Sequence, residues 1–151
     1  MPTLRAKILV LSDAAAGGRR EDRSGPAVRE VLEKRGWLVQ ALEVLPDDLR
    51  VKKIKYSAFI AGSSDIDAQL KSRGIDSVLI AGTATNVCCE SSARDAMMLD
   101  YRVIMLSDAN AASTDEEHAA TLNSFMLFFG DVMTADEAIG KLATAPVRKT
   151  A

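Results

Sequence analysis

The stretch Ile75-Asp76-Ser77-Val78-Leu79-Ile80-Ala81-Gly82, followed at once by Thr83-Ala84-Thr85-Asn86-Val87-Cys88-Cys89, decides the fold. The first eight residues hold a short apolar run with β-branched side chains, the pattern of a central strand in a parallel sheet. A turn of small residues then leads directly into a helical stretch from about Asn86 to Leu99. A buried strand that passes into a helix through a short turn is half of a β-α-β unit. Because such sheets carry their chemistry beyond the carboxyl ends of the strands, this turn is the first place to look for a site.

The alternation continues on both sides. Ala6 to Ser12 reads as a first strand with Asp13 at its end, and Ser24 with Pro26 opens a helix that Gly36 stops. Trp37 to Val44 reads as a second strand, closed by the Pro46-Asp47-Asp48 turn, and Val51 to Ile54 as a short third. Ser64 and Asp67 resemble a capping box for a helix ended by Gly74. Arg102 to Leu106 is another strand. Thr114 with Glu117 opens a helix to about Phe129, with Ala119, Leu122, Phe125, Met126 and Phe129 on its buried face. Thr134 with Glu137 caps a last short helix, and residues 144–151 read as a frayed tail. The expectation is one α/β domain over residues 1–151, a three-layer α/β/α sandwich around a mostly parallel sheet of roughly five or six strands.

Composition narrows the function. With 151 residues and a formal net charge of −2, the chain has no broad basic footprint, so neither nucleic acid nor an anionic membrane is an expected partner. No run of about 18 apolar residues occurs and no signal-peptide pattern opens the chain, so a cytoplasmic protein is expected. Cys88 and Cys89 are adjacent, a poor basis for a structural cross-link, and a reducing compartment suits them. His118 is the single histidine, which excludes a multi-histidine metal site, and no metal or cofactor is expected.

Three reactive side chains fall where the strands end: Asp13, Lys53 and Cys88. In the first turn of a helix, free backbone N–H groups and the positive end of the helix dipole favour a thiolate, and the same N–H groups can donate to an oxyanion. Lys53 adds positive charge, and a carboxylate can take the thiol proton, an arrangement that needs no histidine. A cysteine in an apolar α/β chain also reads simply as a small core residue.

Three segments resemble the isochorismatase-like cysteine hydrolases, a group that includes nicotinamidases and ureidoacrylate amidohydrolases. They are KIKYSAF at Lys53–Phe59, the run from Gly74 to Val103, and SDANAA at Ser107–Ala112. The resemblance implies that Cys88 is the nucleophile, that Lys53 is catalytic, and that a cis peptide links Thr83 to Ala84. It also implies an oxyanion hole formed by the amides of Ala84 and Cys88, and a small-molecule substrate. The family's aspartate motif at the end of the first strand is absent, which leaves Asp13 as the best-placed substitute.

Residues 11–48 resemble a different group, the molybdenum-cofactor biosynthesis proteins that bind molybdopterin. The shared pattern is Ser12-Asp13, Asp22-Arg23-Ser24-Gly25-Pro26 and Pro46-Asp47. Two resemblances meeting near residues 48–52 imply a Rossmann-like chimera, engineered or recombined, that keeps the Cys88/Lys53 part of a hydrolase site with weak or no turnover. The alternatives are a working cysteine hydrolase that cleaves a C–N bond through a thioester, and pterin or nucleotide binding by the N-terminal fragment.

Other features have plain readings. Gly17-Gly18 and Arg19, Arg20 and Arg23 read as a solvated loop, Asp47 and Asp48 as a turn, and His118 as a surface or half-buried residue. Glu90 and Arg94 have the spacing of an ion pair on one helix face. Met97, Met98 and Tyr101 fit either core or subunit contact, which leaves a homo-oligomer open.

Overall fold

A computed structural model of the chain describes residues 51–144. Its elements are α1 (Ile66–Lys71), β1 (Ser77–Thr83), a π turn (Thr85–Cys89), α2 (Glu90–Met98), β2 (Arg102–Ala111), α3 (Asp115–Phe128), β3 (Asp131–Met133) and α4 (Ala135–Thr144). The described strands form one parallel sheet in the order β1-β2-β3, with a helix between each consecutive pair. This is the parallel α/β architecture expected from the alternation of elements. The expected strands at residues 6–12 and 37–44, Asp13, and the tail from residue 145 lie outside the described residues.

Local chemistry explains why elements start and stop where they do. α1 ends in a Schellman arrangement: Gly74 adopts φ 66°, its N–H donates to the Lys71 carbonyl, and the Ile75 N–H donates to the Leu70 carbonyl. α2 ends the same way with Asp100 at φ 70°, as the Asp100 and Tyr101 N–H groups donate to Met97 and Ala96. The Thr114 hydroxyl accepts from the Glu117 N–H at the start of α3. Before α4, the Thr134 hydroxyl accepts from the Glu137 N–H while the Glu137 carboxylate accepts from the Thr134 N–H, a complete capping box.

The core gathers Ile80, Cys89, Ala93, Ala96, Tyr101, Val103, Met105, Leu122 and Phe125 between sheet and helices. Small residues on α2 let it lie close to β2. Phe125, fully buried, stacks on Phe129, and the Arg94 guanidinium lies over the Phe129 ring at 3.9 Å while pairing with Glu90 at 2.6 Å.

Several expectations are corrected. Val51–Ile54 forms no strand; its backbone runs as an irregular loop in which the Ile54 N–H donates to the Ser63 carbonyl. Ser64 and Asp67 form no capping box. Asp65 occupies the N-cap, the Ser64 hydroxyl accepts from the Ile66 N–H, and Asp67 instead accepts from Lys71 and from the Tyr101 hydroxyl. On α3, Ala119 and Met126 face outward, and the inward stripe passes through His118, Thr121, Leu122, Phe125 and Phe129. Polar His118 and Thr121 take the place of the apolar side chains assigned from hydrophobicity alone. The strand β3 was not expected, because three residues give too short an apolar run to register.

Candidate functional site

β1 ends in a sharp change of direction. Gly82 has φ 138°, a conformation that side chains rarely adopt, and the peptide between Thr83 and Ala84 is cis. The chain then winds into the π turn, in which the Ala84 carbonyl accepts from the N–H groups of Val87 and Cys89. The wider winding is the difference from the plain α-helix start read from the sequence. α2 continues directly from this turn.

The two cysteines part here. Cys89 points into the core and is 2% exposed, whereas Cys88 is half-buried. Burial pushes the Cys89 thiol up to about 12, reinforced by the neighbouring Cys88 sulfur and only partly opposed by the Lys53 charge. A thiol held that firmly protonated is no nucleophile near neutral pH.

Lys53 approaches from the irregular loop. It is 6% exposed, and its Nζ lies 3.9 Å from the Cys88 sulfur and donates to the Lys55 carbonyl at 3.0 Å. The loop is held in place by serines. The Ser57 hydroxyl accepts from the Phe59 and Ile60 N–H groups, and the Ser64 hydroxyl donates to the Ala58 carbonyl. The Ala58 N–H donates to Ser92 Oγ, a fully buried hydroxyl on α2. The segment that carries Lys53 is therefore pinned to the helix that follows Cys88.

A second polar network lies on the β2 side. Between Ile80 and Gly82 the β1–β2 register shifts, so that two steps along β1 are matched by five along β2. The extra residues form an arch closed by Asn110, whose Nδ2 donates to the carbonyls of Ile80 and Leu106. The arch holds the Asp108 carboxylate against the Ala135 N–H at the start of α4, at 2.8 Å. It also presents the Ser107 carbonyl to His118 Nε2 at 3.0 Å, while His118 Nδ1 meets the Thr85 hydroxyl at 2.9 Å. Sequence reading passed over this network. Its signals were a threonine at the start of the turn and an asparagine late in a strand, neither of which announces a partner many residues away.

Of the three expected site residues, the structure brings Cys88 and Lys53 together, and Asp13 lies outside the described residues. Among the described residues no three His, Cys, Asp or Glu side chains gather closely enough to hold a metal ion. Nor is any described helix long and apolar enough to cross a membrane.

Comparison with known proteins adds a family context. Residues 19–137 match the isochorismatase domain family. The chain is 40% identical over 112 residues to the ureidoacrylate amidohydrolase RutB of Pseudomonas savastanoi pv. phaseolicola, an alignment that covers 72% of this chain and 45% of that protein. A cysteine hydrolase from Pseudomonas syringae pv. phaseolicola superposes with a TM-score of 0.67 and 30% identity, covering 87% of this chain and 68% of that one. An isochorismatase-like hydrolase from Alkaliphilus metalliredigens gives 0.63 and 38%, covering 70% and 56%. The chain spans about half the length of the curated relatives it matches.

These matches correct the chimera reading. The family match begins at residue 19 and crosses residues 48–52, so both sides of the expected seam fall within one family. The molybdenum-cofactor resemblance of residues 11–48, and with it pterin or nucleotide binding, finds no support, and neither does an engineered origin with weak turnover. A strand, a polar loop and a capped helix open many α/β folds, so short S-D and P-D pairs at those places separate the families poorly.

Proposed function

Since the chain belongs to the isochorismatase domain family, we propose that it is a cysteine hydrolase that cleaves an amide or ureido C–N bond of a small molecule. The observation that carries this reading is the buried Lys53 ammonium 3.9 Å from the half-buried Cys88 sulfur. In the reaction proposed, a carboxylate, assigned to Asp13, takes the Cys88 proton, and the sulfur adds to the substrate carbonyl carbon. Lys53 supplies positive charge beside the thiolate and the developing negative charge, and the N–H groups of Ala84 and Cys88 donate to the oxyanion. The tetrahedral adduct collapses with rupture of the C–N bond. The protonated carboxyl group gives its proton to the departing nitrogen, and a thioester to Cys88 remains. A water molecule, deprotonated by the same carboxylate, adds to the thioester, and the C–S bond breaks to release the acid and regenerate the thiol.

The test is hydrolysis of a panel of small amides and ureides, ureidoacrylate and nicotinamide among them, by the wild-type chain and by Cys88→Ala. Release of the nitrogen product by wild type alone is expected. Turnover that survives in Cys88→Ala, or a folded wild-type protein inert toward the whole panel, overturns the proposal.

A further inference from the structure

We propose that His118 is a positioning residue that sets the start of the π turn, and thereby the direction of the Cys88 thiol, by accepting a hydrogen bond from the Thr85 hydroxyl. This rests on Cys88 being the nucleophile, as proposed above.

The Ser107 carbonyl fixes the place of one ring proton. The Ser107 carbonyl can only accept, so Nε2, 3.0 Å away, carries a proton. The proposal assigns Nδ1, 2.9 Å from the Thr85 hydroxyl, as the acceptor and the hydroxyl as its donor. Thr85 is completely buried, so its hydroxyl needs a partner inside the protein. It is the first residue of the π turn, one residue beyond the cis peptide and three before Cys88. His118 stands in the first turn of α3, which packs against the π turn. The Ser107 carbonyl belongs to the β2 arch, which Asn110 ties to the middle of β1 at Ile80. One imidazole therefore links three pieces of backbone: the turn that carries the nucleophile, the arch of β2 and the start of α3. Without it, a buried hydroxyl at the root of the turn loses its partner, and the turn must shift to find another.

The single histidine makes the test clean, because the imidazole 15N spectrum contains one residue. Nδ1 is expected in the pyridine-type range and Nε2 in the pyrrole-type range at neutral pH. Thr85→Val should move the Nδ1 resonance, since it removes the donor. His118→Leu should lower the turnover number on the amide and ureide panel by on the order of 100-fold with KM little changed, and should slow labelling of Cys88 by iodoacetamide. His118→Asn, whose side-chain oxygen can reach the Nδ1 position, should recover most of both losses. A spectrum with the proton on Nδ1 overturns the proposal. So does a folded His118→Leu that retains wild-type turnover per molecule and wild-type Cys88 labelling, which is the result a purely structural role would give. If wild-type turnover does not depend on Cys88, the hydrolase reading fails, while the spectrum and the labelling rates still decide the role of His118.

Discussion

The Lys53 ammonium and the Cys88 sulfur lie 3.9 Å apart although 35 residues of chain separate them. Nothing local in the sequence holds them together. The contact exists because Ser57, Ser63 and Ser64 fold the Lys53 loop on itself, and Ser92 ties that loop to the helix after Cys88. Lys53→Met keeps the length of the side chain and removes its charge. It is expected to reduce kcat/KM by roughly 100- to 1,000-fold, the usual consequence of losing one preorganised electrostatic group. Steady-state kinetics of purified variants measure it, with circular dichroism to confirm that the fold is retained.

The neighbouring cysteines should behave as chemically distinct groups. Cys89 is buried and its thiol is pushed up to about 12, so in the native protein it should resist iodoacetamide at neutral pH while Cys88 is labelled. Mass spectrometry of the peptide that contains both, with fragmentation between them, reads the ratio. Denaturation should abolish the difference.

Alkaline pH should destabilise the fold in a defined window. Burial, together with the Asp67 carboxylate that accepts its hydroxyl, pushes Tyr101 from 10 up to about 12. The unfolded chain therefore releases this proton first. The stabilisation is whole below pH 10 and is lost as the pH rises through about 12. Cys89 adds a loss of the same sign from pH 9 upward. Urea midpoints measured across this range should fall with pH, and less steeply in Tyr101→Phe.

Two backbone positions should respond in opposite directions. Asp100 sits at φ 70° at the end of α2, where glycine is the usual occupant, so Asp100→Gly should stabilise the protein by up to about 1 kcal/mol. A Cβ at Gly130 would run into the Val103 carbonyl oxygen and approach the Phe125 ring at 2.9 Å, so Gly130→Ala should cost about 1–3 kcal/mol. Thermal melts of the two variants against wild type test both.

Where the information was local, the sequence disclosed the structure. Ile75–Gly82 announced β1, which the structure places at Ser77–Thr83, and the Thr114/Glu117 and Thr134/Glu137 pairs marked the starts of α3 and α4, because strand and cap signals act over a few residues. The register shift opposite Ile80–Gly82, the Thr85–His118 contact and the inward turn of Thr121 were hidden, since each depends on a partner brought close only by the fold. The π turn gave no warning either, because Thr85–Cys89 has no composition that separates wide winding from ordinary helix. Cys88 and Lys53 stood out first as reactive side chains where strands were expected to end, and the family resemblance then gave them their roles. For Lys53 the place was wrong, because Val51–Ile54 forms a loop rather than a strand.

On the proposed mechanism, Cys88 carries the substrate's acyl group during turnover. Rapid acid quench of the wild-type chain mixed with ureidoacrylate or nicotinamide, followed by peptide mass spectrometry, tests it most directly. A transient acyl mass on Cys88 is expected, with Cys89 unmodified and no such mass in Cys88→Ser. Steady hydrolysis with no adduct at Cys88, or an adduct on any other side chain, would contradict it.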